Sequence, residues 1–334
     1  MEYDVDVGPE MINTAFETNM IDDEWSIRSE REFTWWGYEQ AQRVWADPPI
    51  RTEGVTVTKV HARTDVLRDV PDTEKTFHLV SLLNMTATLS PLIFDPDTGK
   101  VYYHSTAYLH EQNFWLVSQI FMLSGSMQAA DARVKTLTGL ADLFDGEVDA
   151  TSHPQSGERP EPDDMLNLLE DVVAPAGAEP SPFTSDNFAM LEDLDPNPSV
   201  QTNAGENGVT AEFPFSGGDP VVKSSDAGQP PQTALFQAFN NQPHPQIGNG
   251  CLVLLHVPLS TEDRVVANEL NRQEAETGGG NHLLGAWCMG PRGLAFTTFY
   301  PAMIHHPALL AGLLTGYSIR SMWSHQTAKQ LGVT

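Results

Sequence analysis

One order of predicted secondary-structure elements occurs twice in this chain, and this repeat constrains the fold more than any other feature of the sequence. Each copy contains an alternating strand, an amphipathic helix, a hairpin and a strongly apolar helix. The hairpin glycines Gly99 and Gly293 are 194 positions apart, and so are the helix starts Asn113 and Pro307. Constant spacing across separate elements is typical of an internal duplication.

The first copy begins with a strand from Val55, in which apolar and polar residues alternate. A helix with Asp72 as its N-cap follows. A hairpin that turns at residues 97–99 then leads into a long apolar helix capped by Asn113.

The second copy repeats these elements from Cys251 onward. Its strand is followed by a helix with Ser260 as N-cap. Its hairpin turns at residues 290–293, and Pro307 lies in the first turn of the last helix.

A further helix is predicted before each copy. In the first copy, residues 33–45 place aromatic and apolar side chains near one helical face, and the segment from Thr233 takes that position in the second. His61 and His256 lie on the first strands of the two copies and are 195 positions apart. The expected fold class is α+β, with two tandem α-β-α-β-β-α units, each an antiparallel sheet packed on helices.

A long acidic segment rich in Pro and Gly separates the two copies. Within it the basic residues are Arg159 and Lys223, and Pro, Gly, Ser and acidic side chains dominate. Such a composition buries too little apolar surface to offset the entropy of ordering, so we expect a mostly irregular linker. The expected domains are an acidic N-terminal tail at 1–24, a first unit at 25–144, the linker at 145–232 and a second unit at 233–334.

Two short apolar islands interrupt the linker. The first includes Leu168 and Leu169, and the second is centred on Phe188. Each is predicted to form a short amphipathic helix that docks either on a domain of this chain or on a partner. A strand is predicted nearby, at Val209–Phe215.

The net charge of −27 excludes several classes of partner. The chain has 45 acidic and 18 basic residues, and 36 of the acidic residues precede position 201. Such a chain repels the phosphates of nucleic acids and anionic membrane surfaces, so neither is an expected partner. The acidity either provides solubility or adaptation to salt, or attracts a basic polypeptide.

Tryptophan is concentrated near the N-terminus, where four of the seven residues lie within positions 25–45. Trp35 and Tyr38 lie off the main apolar face of the helix predicted there. They either pack against the linker or the second unit, or form an exposed aromatic patch that binds a partner. The candidate protein-binding residues are Trp35, Tyr38, Leu168, Leu169 and Phe188.

The segments that join helix to hairpin carry short motifs that resemble the YbjN family, which shares its fold with type III secretion chaperones. In the second copy the motif is Glu269–Asn271 followed by LLGAWCMGPRGLAFTTFYP, and the first copy keeps Leu83–Asn84 without the Glu. The resemblance implies an antiparallel sheet packed on helices in each copy. It also implies a chaperone-like protein that binds polypeptide clients, and it brings no catalytic residues.

Few residues could support catalysis. His305 and His306 lie between a strand and a helix, and Cys288 lies in a strand, without the accompanying residues of a metal or thiol site. The sequence contains no phosphate-binding glycine loop and no nucleophile motif. We expect no catalytic, metal or cofactor site. The alternatives are a hydrolase or transferase that uses Cys288 with His305 or His306, and a structural or regulatory subunit of a larger complex.

The final helix of each copy is apolar on more than one face, which predicts that the two units pack on each other as a pseudo-dimer within one monomeric chain. Close approach of another backbone would explain Gly125, Gly312 and Gly316 inside these helices. A cytoplasmic protein is expected because no apolar stretch would cross a membrane, the N-terminus lacks a signal peptide, and the two cysteines are typical of reduced thiols.

Overall fold

The computed structural model describes residues 4–52, 54–86, 89–132, 134–161, 181–193, 201–215, 232–244, 247–259, 263–277 and 282–333. These residues form two antiparallel sheets with helices packed on them, which confirms the α+β class. Among them, none of the helices combines the length and the hydropathy that crossing a bilayer requires.

The first half of the chain builds one sheet and four helices among its described residues. Its elements are α1 (Gly8–Thr18), β1 (Ser26–Arg28), β2 (Glu32–Trp36), β3 (Ala41–Ala46), β4 (Ile50–Thr52), β5 (Val55–Arg68), α2 (Glu74–Asn84), β6 (Leu92–Asp95), β7 (Lys100–Leu109), α3 (Phe114–Asp131), α4 (Val134–Phe144) and β8 (Glu147–Val148). The strands follow the order β6-β7-β5-β3-β2-β1, and β4 and β8 also pair with β5.

The second half builds the other sheet. Its described elements are α5 (Ser185–Asp193), β9 (Gln201–Gly205), β10 (Gly208–Pro214), β11 (Thr233–Phe239), β12 (Gly250–His256), α6 (Arg264–Thr277), β13 (Ala286–Gly290), β14 (Gly293–Pro301) and α7 (Pro307–Gln330). The strands follow the order β13-β14-β12-β11-β10-β9. Both sheets therefore place the hairpin at one edge, then the strand that precedes the helix, then three earlier strands.

The helices predicted before each copy are wrong, because both segments are strands. Residues 33–45 form β2 and β3, and the segment from Thr233 forms β11. In β11 the buried residues are Ala234, Phe236 and Ala238, which is the two-residue period of a strand. In the earlier segment, apolar residues three and four positions apart also fit a helical face, so periodicity could not separate the alternatives.

The N-terminal segment is not only an acidic tail, because α1 packs on the first sheet. Its buried side chains include Met11, Ile12, Ala15 and Phe16, and the rings of Phe16 and Phe33 are 5.5 Å apart. Its acidic residues lie outside this apolar stripe, so acidic composition concealed an amphipathic helix.

The stretch predicted to be a linker contains regular structure. The strand predicted at Val209–Phe215 is confirmed as β10, but the expectation of irregular backbone is wrong for β9, which pairs with β10 in the second sheet. Helix α5 lies at the second apolar island. The first island, with Leu168 and Leu169, lies outside the described residues.

Both hairpins turn where the sequence predicts. Gly99 and Gly293 have positive φ values of +67° and +104°, a conformation that glycine adopts without strain. Helix α3 has Asn113 at its N-cap, and α7 begins at Pro307, as expected.

The predicted cap of α2 is wrong by one residue. Thr73, not Asp72, is the N-cap, because its backbone is extended and its side chain accepts a hydrogen bond from the Thr76 amide at 3.3 Å. The cap predicted at Ser260 lies outside the described residues.

One asparagine in each half fixes the hairpin to the preceding helix. Asn84 at the end of α2 bonds the amide and the carbonyl of Leu92, both at 2.8 Å. Asn271 in α6 bonds the carbonyl and the amide of Trp287 at 2.9 and 2.7 Å. These two asparagines belong to the Leu-Asn motifs of the sequence, and they occupy equivalent places in the two sheets.

The spacing of His61 and His256 does not reflect equivalent positions. Leu92 lies in the same ladder row as Thr64, and Trp287 lies in the same row as Leu255. Thr64 on β5 and Leu255 on β12 are therefore equivalent. Three residues earlier on each strand, His61 corresponds to Leu252.

The two halves also bind each other's edge strands. Asn268 in α6 bonds the amide and the carbonyl of Phe94 in β6 at 2.9 and 2.8 Å. In the reciprocal contact, the hydroxyl of Ser81 in α2 accepts from the Met289 amide in β13 at 2.8 Å. Asn268 lies three positions before Asn271, and Ser81 lies three positions before Asn84. In each half the same face of the helix therefore bonds its own hairpin and the edge strand of the other half.

A shared apolar core joins the sheets. The largest buried cluster contains Ile93, Tyr102 and Ile120 from the first half together with Leu283 and Leu313 from the second. This core places the start of α3 beside the start of α7.

Candidate functional site

An apolar cleft lies between α3 and α7, at the junction of the two halves. The first turns of the helices meet where the rings of Trp115 and His306 lie 4.5 Å apart in an edge-to-face arrangement. The side chain of Asn113 bonds the Tyr108 carbonyl and the His110 amide, both at 2.9 Å, and so fixes the start of α3.

The cleft encloses about 290 Å³ and is partly open to solvent. Its aliphatic lining includes Leu116, Val117, Ile120, Leu309 and Leu313. A cavity of this size and lining lies at the lower end of the range for ligand pockets.

Gly312 leaves space in the cleft. Within the described structure, a Cβ atom on Gly312 would have no atom within 4 Å. Close backbone contact therefore does not explain this glycine, and the same expectation is wrong for Gly125, whose Cβ would meet only the Cβ of Ala62 at 3.9 Å. Glycine in a helix interior costs about 1 kcal/mol relative to alanine, and Gly312, an exposed residue that lines the cleft, has no close contact that accounts for this cost.

A buried ion pair forms the polar floor of the cleft. Arg320 donates to Glu274 at 2.8 Å, and the indole N–H of Trp287 donates to the other Glu274 oxygen at 2.7 Å. Burial lowers the pKa of Arg320, but Glu274 outweighs this effect and raises that pKa above its ordinary value. The guanidinium also lies 3.9 Å from the centre of the Phe296 ring. The floor is thus charged, paired and rigidly placed.

His282 connects this floor to the first sheet. Its Nδ1 accepts from the Tyr108 amide at 3.0 Å, and Arg320 donates to its carbonyl at 2.6 Å. Next to it, the Leu283 carbonyl accepts from the Thr106 amide at 3.2 Å. Burial, together with the nearby Arg320, lowers the pKa of His282 to about 4, so its ring is neutral at pH 7.

Exposed apolar side chains lie near the cleft. Trp115 is 49% exposed and Met303, just before the start of α7, is 59% exposed. Ile319 is 38% exposed and lies on the same helical stripe as Gly312.

The residues proposed from sequence as protein-binding lie elsewhere. Trp35 is buried in the core beneath the first sheet, and Tyr38 is partly exposed beside it. Phe188 is fully buried in the shared core. Buried side chains offer no contact area to a partner in this conformation, and Leu168 and Leu169 lie outside the described residues.

The residues of the alternative enzymatic site do not converge. In the ladder Cys288 lies opposite Ala295, and Ala295 lies six residues before Pro301 on β14. Cys288 is therefore about 20 Å from the end of the strand that precedes His305. Burial raises the pKa of the Cys288 thiol to about 12, which opposes formation of a nucleophilic thiolate. His305 packs on the Phe183 ring at 4.8 Å.

The described residues contain no group of three side chains that could hold a metal ion. Cys251 is also free and buried. The cleft offers apolar surface and fixed polar groups for binding, without a nucleophile in its described lining. The chain matches no protein-family model, no curated protein and no solved structure.

Proposed function

We propose that this chain is a non-enzymatic, chaperone-like protein that binds a segment of another polypeptide in the cleft between α3 and α7. The observation that carries the proposal is the partly open apolar cleft between α3 and α7, which Gly312 lines as an exposed residue with no described atom within 4 Å of its Cβ position. A pocket of this kind accepts one or two apolar anchor side chains, which dominate the energy of many protein interfaces.

The surroundings of the cleft favour a polypeptide over a small molecule. Trp115 and Ile319 expose apolar surface beside the cavity, where a longer ligand would extend beyond it. A cleft lined by residues of two helices suits the apolar face of an amphipathic helix or an extended segment.

The client would carry basic residues around its apolar anchors. The net charge of −27 attracts cationic segments over long range and repels nucleic acids. This attraction raises the rate of encounter, while the cleft provides the specific contacts.

We further propose that the two halves are tandem copies of a YbjN-like or type III chaperone-like unit, joined by the acidic Pro- and Gly-rich segment. The common strand order and the reciprocal contacts of Asn268 and Ser81 support this relationship. The pair would then replace a dimer of separate chains, and we expect a monomer in solution by light scattering. The free thiols Cys251 and Cys288 favour a reducing compartment such as the cytoplasm.

The test fills the cleft without disturbing the fold. In Gly312→Leu the new side chain enters open space, and in Gly139→Leu the same change is made on α4, where a Cβ also has no described neighbour within 4 Å. Wild type and both variants serve as baits in native lysate, and bound proteins are identified by mass spectrometry and then titrated as purified segments.

The expected result is a client that binds wild type and Gly139→Leu with equal affinity and loses binding to Gly312→Leu. A photo-crosslinking residue in place of Trp115 should attach to the same client. Equal binding of every captured protein by Gly312→Leu would contradict a role for the cleft.

A further inference from the structure

A row of basic side chains crosses the first sheet on the face away from α3. In the ladder, Arg43 lies directly opposite Arg63, and Arg63 lies directly opposite His104. The neighbouring residue Gln42 donates to the Gly125 carbonyl of α3, so alternation places Arg43 on the other face. Like charges directly opposite each other destabilise a sheet, which makes this pairing unexpected in a chain with only 18 basic residues.

Aromatic rings and carboxylates hold the two guanidinium groups in place. Arg63 lies 3.7 Å from the centre of the Tyr102 ring and donates from Nε to Asp65 at 2.6 Å. Arg43 lies 4.8 Å from the centre of the Trp45 ring and donates to Glu32 at 2.6 Å.

Several donors of this row remain available. Arg63 donates to Asp65 through Nε. Within the described part of the chain, its two Nη groups make no hydrogen bond. The ion pair of Arg43 and Glu32 is about half exposed on both sides, so opening it costs little.

These side chains line a groove of about 470 Å³. Lys100 lies at one side and is held by Asp65 at 3.0 Å and Asp149 at 2.8 Å. Burial lowers the pKa of Lys100, but its bonds to Asp149 and Asp65 outweigh this and raise that pKa, so the ammonium is charged. The hydroxyl-bearing Thr151 completes this side.

The second sheet shows that the fold does not require this row. Leu92 and Trp287 occupy equivalent positions, and their ladder rows contain Thr64 and Leu255 respectively. The preceding residues on these strands, Arg63 and Leu254, are therefore equivalent. The same register places Gln237 at the position of Arg43. The two sheets share strand order, yet only the first carries cations here.

We propose that this groove binds an oxyanion, a carboxylate or phosphate group of a ligand, between the guanidinium groups of Arg43 and Arg63. Planar guanidinium groups bind such oxyanions through paired, charge-assisted hydrogen bonds. The rings of Trp45 and Tyr102 hold both groups before the ligand arrives, which reduces the entropy lost on binding. The site is separate from the cleft between α3 and α7.

The experiment is a calorimetric titration of the full chain with inorganic phosphate and, separately, with acetate. The variants are Arg43→Gln and Arg63→Leu, which introduce the residues of the second sheet. The control is Arg68→Gln, a half-exposed, ion-paired arginine on the same strand as Arg63. Arg63→Lys keeps the charge without the planar fork, and circular dichroism verifies folding of each variant.

At least one probe should bind wild type, and each of Arg43→Gln and Arg63→Leu should weaken binding about tenfold. Arg63→Lys should retain part of the affinity, while Arg68→Gln and Gly312→Leu should leave it unchanged. Binding of phosphate alone would identify a phosphate-bearing ligand, and binding of acetate would show that a carboxylate suffices. The proposal is overturned if neither probe binds, or if Arg68→Gln weakens binding as much as the groove variants.

Discussion

The side chain of Asn268 bonds both backbone groups of Phe94, 174 positions away, and so joins a helix of the second half to the edge strand of the first. Ser81 and Met289 form the reciprocal contact. A helix of each half thereby contributes to the sheet of the other, and the stability of the two halves is coupled.

Replacement of Asn268 by Ala should destabilise the whole chain. The change leaves the buried amide and carbonyl of Phe94 without partners, which costs about 2–4 kcal/mol of the free energy of unfolding. Urea denaturation followed by circular dichroism measures this loss. Asn13→Ala, at an exposed position, should change the free energy by less than about 0.5 kcal/mol. Equal effects of the two substitutions would show that the cross-contact is not structural.

A charge in the shared core should separate or unfold the halves. Leu313 is buried, so Leu313→Asp places a carboxylate among apolar side chains and should cost several kcal/mol. Ile319→Asp changes a partly exposed residue of the same helix and serves as its control. Thermal unfolding should show a large decrease in Tm for the first variant and a small one for the second. An unchanged Tm for Leu313→Asp would rule out this packing.

Two glycines should respond to alanine in opposite directions. Gly312→Ala should stabilise α7 by about 1 kcal/mol, because the new methyl group meets no described neighbour and alanine favours helix. Gly285→Ala should destabilise, because φ is +150° and the new Cβ would lie 2.5 Å from the Thr297 carbonyl oxygen. Denaturant midpoints of both variants test this, and destabilisation by Gly312→Ala would mean that the cleft is not open.

Stability should decrease as the pH falls from about 6.5 towards 4. Burial is the largest cause that lowers the pKa of His61 and of His282 to about 4, against 6.5 for an unperturbed histidine. Lys59 adds to the shift at His61, although Asp47 opposes it, and Arg320 adds to it at His282. Because the unfolded chain takes up these protons first, stability present above pH 6.5 is lost on acidification.

The measurement is urea denaturation across this pH range for wild type and His282→Asn. The Asn oxygen can still accept from the Tyr108 amide, but it does not titrate, so the variant should lose less stability between about pH 6.5 and 4. An identical pH dependence of His282→Asn and wild type would contradict the assignment.

Local patterns in the sequence predicted the hairpins and the long helices well, because Gly99, Gly293 and Pro307 impose backbone geometry without help from distant residues. They failed for residues 33–45, where the spacing of apolar side chains fits two periods and only strand pairing decides. The sequence shows that Gly312 lowers the stability of a helix. It does not show that this glycine lines a cleft, because the cleft depends on where α3 lies.

The groove and the cleft floor could not be predicted from spacing. Arg43 and Arg63 are 20 positions apart and become neighbours only through the register of β3 on β5. Glu274 and Arg320 are separated by 46 positions and meet because α7 returns over the second sheet. Neither pair has a local signature, since long-range packing alone brings their side chains together.

The side chains that hold the hairpin edges also have a consequence for the behaviour of many copies in solution. In β6, the outward backbone groups of Leu92 and Phe94 are bonded by Asn84 and Asn268, and in β13 those of Trp287 by Asn271. An edge strand recruits another chain through unpaired groups of this kind. With these groups already bonded, β6 and β13 are poor templates for a further strand, so the hairpin edge of each sheet is protected against growth into β-rich polymers.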